Sequence, residues 1–119
     1  MPQYFFFPAK PQIVQKPVDQ IVTRGGNVTF NCVAEGYPKP ALFWEFKGKA
    51  MFPMQHYGRL FISSEGQLQI KGVKREDEGV YRCSALSSVA GLGASSAEAR
   101  LTIKGMNIKY LLLVLFFIK

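Results

Sequence analysis

A chain of 119 residues, 48% hydrophobic and 19% charged, has room for one packed domain and is excluded from the disordered and low-complexity classes. Its formal charge of +7 includes end-segment cations, and residues 11–104 hold 12 basic against 8 acidic side chains; this mild excess carries no basic stripe interleaved with aromatics, so no nucleic-acid partner is expected. Two cysteines and one histidine, His56, are too few for a tetrahedral zinc site, so Cys32 and Cys83 read as one disulfide formed in an oxidising compartment.

The predicted elements are strands. Pro11 and Pro17 bracket Gln12 to Lys16, and an extended pattern resumes from Val18 to Thr23. Proline donates nothing to a ladder, so this reads as an edge strand broken at Pro17 that switches sheets. After the Gly25-Gly26 turn, Val28, Phe30, Cys32 and Ala34 alternate with polar residues, as in a strand with one buried face. Gly36-Tyr37-Pro38 makes the next turn, and Leu42, Trp44 and Phe46 alternate again. Residues 48–67 read as one short strand, Arg59 to Ser63, behind a loop containing Pro53, Gln55, His56 and Gly58, with room for one further short strand. Leu68 and Ile70, then Val80 to Leu86, then Ala97 to Ile103 complete the series, with Ser87, Ser88, Ser95 and Ser96 in the last loop. Between residues 11 and 104 no window of ten residues carries a helical stripe, so the chain is all-β.

Three spacings narrow the architecture. Trp44 follows Cys32 by twelve residues, Cys83 follows it by fifty-one, and Tyr81 stands two before Cys83. This order resembles an immunoglobulin-like β-sandwich: two antiparallel sheets, one inter-sheet disulfide, and a tryptophan packed on the bridge. Trp44, Leu68 and Tyr81 are the expected core, with the Tyr81 hydroxyl bonding back to the turn around Asp77. The short span between the third and fifth main strands indicates the intermediate, or I-set, type. In such domains an arginine at the start of the fourth strand pairs with the turn aspartate, which makes Arg59 and Asp77 an expected structural ion pair.

The stretches Pro17-Val-Asp-Gln-Ile-Val, Pro40-Ala-Leu-Phe-Trp and Tyr81-Arg-Cys-Ser-Ala-Leu-Ser-Ser-Val-Ala-Gly are similar to the Roundabout axon-guidance receptors, specifically their third immunoglobulin domain, over about residues 10–104. That resemblance implies a module on the extracellular side of the plasma membrane, flanked by neighbouring immunoglobulin domains, in a receptor for the secreted protein Slit. In the family Slit engages another domain, so no Slit-binding residue is carried onto this chain. I-set domains of intracellular filaments share much of the pattern, and a structural domain of such a filament or a module of another neural adhesion protein remains a second reading.

No chemistry at a catalytic, metal or cofactor site is expected. His56 lies between Gln55 and Tyr57 with no nucleophile beside it, and the serines sit among Gly and Ala. The acidic run Glu76-Asp77-Glu78 falls short of the six to eight oxygens calcium takes. Asn27-Val28-Thr29 is the one glycosylation motif, and strand alternation turns Asn27 outward. For Lys71, Lys74 and Arg75 two readings stay open, a solvated rim and a weak heparan-sulfate contact.

The ends differ in kind from the middle. Residues 1–9 and 105–119 are expected to lie outside the domain of residues 10–104. Tyr110 to Ile118 are nine apolar residues between Lys109 and Lys119, whereas a spanning helix needs about twenty. No stable membrane insertion is expected of this tail, and a lipid-anchor signal lacks its polar spacer. Met1 to Pro8 has no basic segment of the kind that opens a secretion leader. The Phe5-Phe6-Phe7-Pro8-Ala9 run can be written as a pyrimidine tract followed by CAG, and Gly105-Met106 with GTATG. Both have the look of intron borders, so the expectation is one immunoglobulin-encoding exon, about residues 9–105, read through on both sides.

Overall fold

The computed structural model describes residues 7–105 and 108–118. The first strand is split as its prolines require. β1 (Ala9–Gln15) pairs antiparallel with β4 (Val33–Tyr37), while β2 (Gln20–Thr23) lies in the opposite sheet beside β11 (Ala94–Lys104). Pro17, between them, is buried at the crossing. β3 (Val28–Phe30) and β4 are successive pieces of one extended run, interrupted at Asn31 and Cys32, where the chain stops pairing with one neighbour and begins with another.

One sheet has the order β2-β11-β10-β5-β6, with β5 (Ala41–Phe46), β6 (Lys49–Met51) and β10 (Gly79–Leu86). The other has the order β3-β9-β8-β7, with β7 (Gln55–Tyr57), β8 (Leu60–Ile62) and β9 (Leu68–Ile70), and the β1-β4 ribbon extends it along the same chain run. The expected two-sheet sandwich is present, and its ladders are antiparallel except at the margin, where β2 runs parallel to β11. Strand alternation sends Phe30, Trp44, Ile62, Leu68, Ile70, Tyr81, Cys83 and Leu101 into one core between the sheets.

Three expectations are corrected. The span 48–67 holds three short strands where one, with room for one more, was expected, because Lys49–Met51 pairs with β5 and Gln55–Tyr57 pairs with β8. His56 therefore sits on a strand and not in a loop. Met54 (φ 64) and Gly58 (φ 65) reverse the chain on either side of Gln55–Tyr57, and the Met54 amide donates to the Ile62 carbonyl at 2.7 Å. A marginal strand with so little buried surface needs no apolar alternation, so Gln, His and Tyr suffice. Ser95 and Ser96 likewise lie on β11, where they face Ala85 and Ser84 across the ladder.

Beyond the sandwich, Ile108–Phe117 forms helix α1, a structure the apolar run alone did not specify. Among the described residues no helix is long and apolar enough to cross a membrane.

Candidate functional site

The Cys32–Cys83 disulfide ties β10 to the joint between β3 and β4, with Cα atoms 6.5 Å apart. Trp44 lies opposite Cys83 in the β5–β10 ladder and is fully buried. A buried indole needs an acceptor for its one donor. Trp44 Nε1 donates to the Gly66 carbonyl at 2.7 Å. Gly66 has φ +89, and a Cβ there would lie 2.2 Å from Leu42 Cδ2, so the turn that presents this carbonyl requires glycine. Sequence reasoning placed Trp44 but missed its acceptor, although Glu65-Gly66 was visible as a turn. Around the indole, the Phe30 ring lies 6.1 Å from Trp44 and 5.4 Å from Tyr81, and Phe46 stacks on Tyr81 at 4.1 Å.

At one end of the sandwich a second polar cluster closes the core. A single turn of 3₁₀ helix, Arg75–Asp77, precedes β10, and the Tyr81 hydroxyl donates to the Asp77 carbonyl at 2.6 Å. The Asp77 carboxylate accepts from both terminal guanidinium nitrogens of Arg59, at 2.8 Å from Nη2, and from the Lys74 amide at 2.8 Å. Arg59 also donates to the Gly72 carbonyl at 3.0 Å, which ties the start of β8 to the turn after β9. Burial alone would raise the Asp77 carboxyl, but the hydrogen bonds from Arg59 and the Lys74 amide, with the Arg59 charge, hold it below its ordinary value. The Asp77 hydrogen bond raises the Arg59 guanidinium against a smaller opposing effect of burial. Burial pushes the Tyr81 phenol well above its usual range, and the Asp77 charge adds to it. Next in sequence, Glu78 accepts from the Ile103 amide at 2.8 Å. Both Asp77 and Glu78 are thus occupied by donors of the domain itself.

The outer surfaces carry the remaining side chains. On the β2-β11-β10-β5-β6 sheet, Phe43 and Phe52 stack with centroids 5.7 Å apart, and Arg82 pairs with Glu98 at 3.1 Å. Phe52 and Leu86 are 48% and 49% exposed, and they line, with Phe43 and Pro40, a groove of about 850 Å³. The opposite sheet is polar: Gln67 donates to Asn31, Gln69 donates to Gln67, and exposed His56 packs its ring 4.5 Å from Phe61. Asn27 is exposed on this side and accepts from the Gly72 amide at 3.1 Å. Lys71, Lys74 and Arg75 are exposed at the end that holds the Asp77 cluster, beside a smaller groove lined by Arg24, Val73 and Lys74. The structure thus brings Arg59, Asp77 and Tyr81 into one network, and Trp44, Leu68 and the two cysteines into one core. Asn27 and His56 lie on the polar outer face, Asn27 held by the same Gly72 backbone that accepts from Arg59.

Residues 10–86 match the family model for the immunoglobulin domain. The chain belongs to the immunoglobulin domain family. The match ends at β10, and β11 adds the strand that completes the sheet. Among relatives, the chain is 41% identical over 103 residues to Roundabout homolog 3 of Homo sapiens, an alignment covering 82% of this chain and 7% of that protein. It is 39% identical over 103 residues to protein sax-3 of Caenorhabditis elegans, covering 83% of this chain and 8% of that one. The chain therefore spans less than a tenth of the length of these relatives. Among solved structures, titin domain M7 is 29% identical with a TM-score of 0.72, covering 84% of this chain and 99% of that one. This immunoglobulin domain accordingly shares its fold with titin domain M7 and its sequence features with Roundabout proteins.

Proposed function

We propose that this immunoglobulin domain is a non-catalytic extracellular module from the ectodomain of a Roundabout-like axon-guidance receptor. It spaces and orients the neighbouring immunoglobulin domains of that receptor, and it serves Slit signalling without holding Slit itself. The observation that carries this reading is the identity of about two residues in five with Roundabout proteins across four fifths of the chain. The Cys32–Cys83 bridge agrees with an oxidising compartment, hence with the outer side of the plasma membrane. The folding unit in this reading is residues 10–104, and residues 105–119 are an appendage that makes no stable membrane insertion. Lys71, Lys74 and Arg75 offer at most a weak salt-sensitive contact to heparan sulfate, since surface charge of this kind is screened within about 8 Å at physiological salt.

Mass spectrometry of the natural protein under thiol-blocking conditions, combined with labelling of intact cells by an impermeant reagent, tests the reading. An oxidised Cys32–Cys83 pair on surface-labelled protein is expected. Free thiols on protein that escapes the label would overturn it and favour a filament domain, the role that the titin likeness brings to mind.

A further inference from the structure

Asn27-Val28-Thr29 begins where the Gly25-Gly26 turn delivers the chain into β3. Val28 is 2% exposed and packs into the core, which turns Asn27 and Thr29 together onto the outer face, where both are exposed. β3 is an outer strand of its sheet, so a bulky group on this side meets no strand beyond it among the described residues. The Asn27 amide is also oriented. The Gly72 N–H is a donor, so the Asn27 atom 3.1 Å from it is the carbonyl oxygen. That leaves Nδ2 as the uncommitted arm, with no partner among the described residues.

Asn31 provides an internal contrast. It is exposed on the same face, its Oδ1 accepts from Gln67 at 2.7 Å, but Cys32 and Val33 follow it and no hydroxyl stands two positions on. Exposure and a hydrogen-bonded amide occur at both sites, and only Asn27 has the threonine.

We infer that Asn27 Nδ2 carries an N-linked oligosaccharide, rooted on the polar outer face of the β3-β9-β8-β7 sheet. The donor class is a lipid-pyrophosphate oligosaccharide. The bond from Nδ2 to the anomeric carbon forms, the bond from that carbon to the pyrophosphate breaks, and the amide gives up one proton as the lipid pyrophosphate leaves. The inference rests on the extracellular reading, because the transferring enzymes work in the secretory pathway.

The test is to express the full chain behind a cleavable secretion leader in eukaryotic cells and compare its mass before and after peptide-N-glycosidase. A mass loss with conversion of Asn27 to aspartate is expected. Asn27→Gln should abolish it, as should Thr29→Ala, which keeps the hydrogen bond to Gly72 and so separates glycan loss from misfolding; Thr29→Ser should retain it. A secreted chain with an oxidised bridge and an unmodified Asn27 overturns the site alone. A chain that folds only with reduced cysteines overturns the extracellular reading beneath it.

Discussion

Gly66 answers two demands at once. Its φ of +89 lies where side chains are strained, and its carbonyl is the acceptor for the buried Trp44 indole. Gly66→Ala is expected to cost about 1–2 kcal/mol for the left-handed conformation, with Leu42 displaced in addition. Urea titration followed by Trp44 emission would show a lower midpoint, and an unchanged midpoint would remove Gly66 from this role. Asp77 gives a pH-dependent counterpart. Its folded-state pKa is depressed, so its contribution is full above the unfolded value of about 3.9 and is lost as pH falls through the lower folded value. The Arg59 side chain is 32% exposed, so solvent screens the pair, and Asp77→Asn is expected to cost about 1–2 kcal/mol at neutral pH. The gap between the melting temperatures of parent and variant should narrow below about pH 4. A gap that stays constant into acid would show that the carboxylate charge does not carry the effect.

Between elements, the disulfide is the costliest link to lose. It closes a separation of 51 residues, for which chain entropy gives about 4 kcal/mol, against a total of about 5–15 kcal/mol for a domain. Cys83→Ala should therefore leave the chain unfolded or nearly so at body temperature, as read by circular dichroism; a melt within a few degrees of the parent would refute this. Trp44, buried opposite Cys83, should be quenched when folded and brighten on reduction and unfolding. The same elements show what a sequence can reveal. Val28 with Phe30 and Leu68 with Ile70 were legible because each strand buries one face and writes that face at period two. The turn around Asp77 was legible from its distance to Tyr81 and Cys83. β7 was not, because a marginal strand buries too little to impose an apolar pattern. Nor was the Trp44–Gly66 bond, which joins residues 22 apart through a backbone carbonyl that any residue possesses. The direction of β2 beside β11 is equally silent in local pattern, since alternation reads the same in both directions.

For the whole molecule, the sandwich and α1 are stabilised in different ways. Leu112, Leu113, Leu115, Phe116 and Phe117 of α1 are each more than half exposed, so these five side chains lend little burial to the core. Its ten residues rise about 15 Å, half of the roughly 30 Å of hydrocarbon in a bilayer. A chain ending at Gly105 should melt within a few degrees of the full chain by calorimetry and scatter less light at equal concentration. A large fall in melting temperature would show that α1 packs on the sandwich after all. The parallel pairing of β2 with β11 has a mechanical meaning. Gln20 stands beside Leu101 and Thr23 beside Lys104, so the chain enters this ladder at one end and leaves it at the other. A pull that draws β2 back toward its start and β11 onward past Lys104 slides the two strands lengthwise in opposite directions. The hydrogen bonds lie across that motion, are loaded together in shear, and must yield as a group instead of unzipping one by one. A domain built this way holds tension applied along these two strands until the bonds yield together.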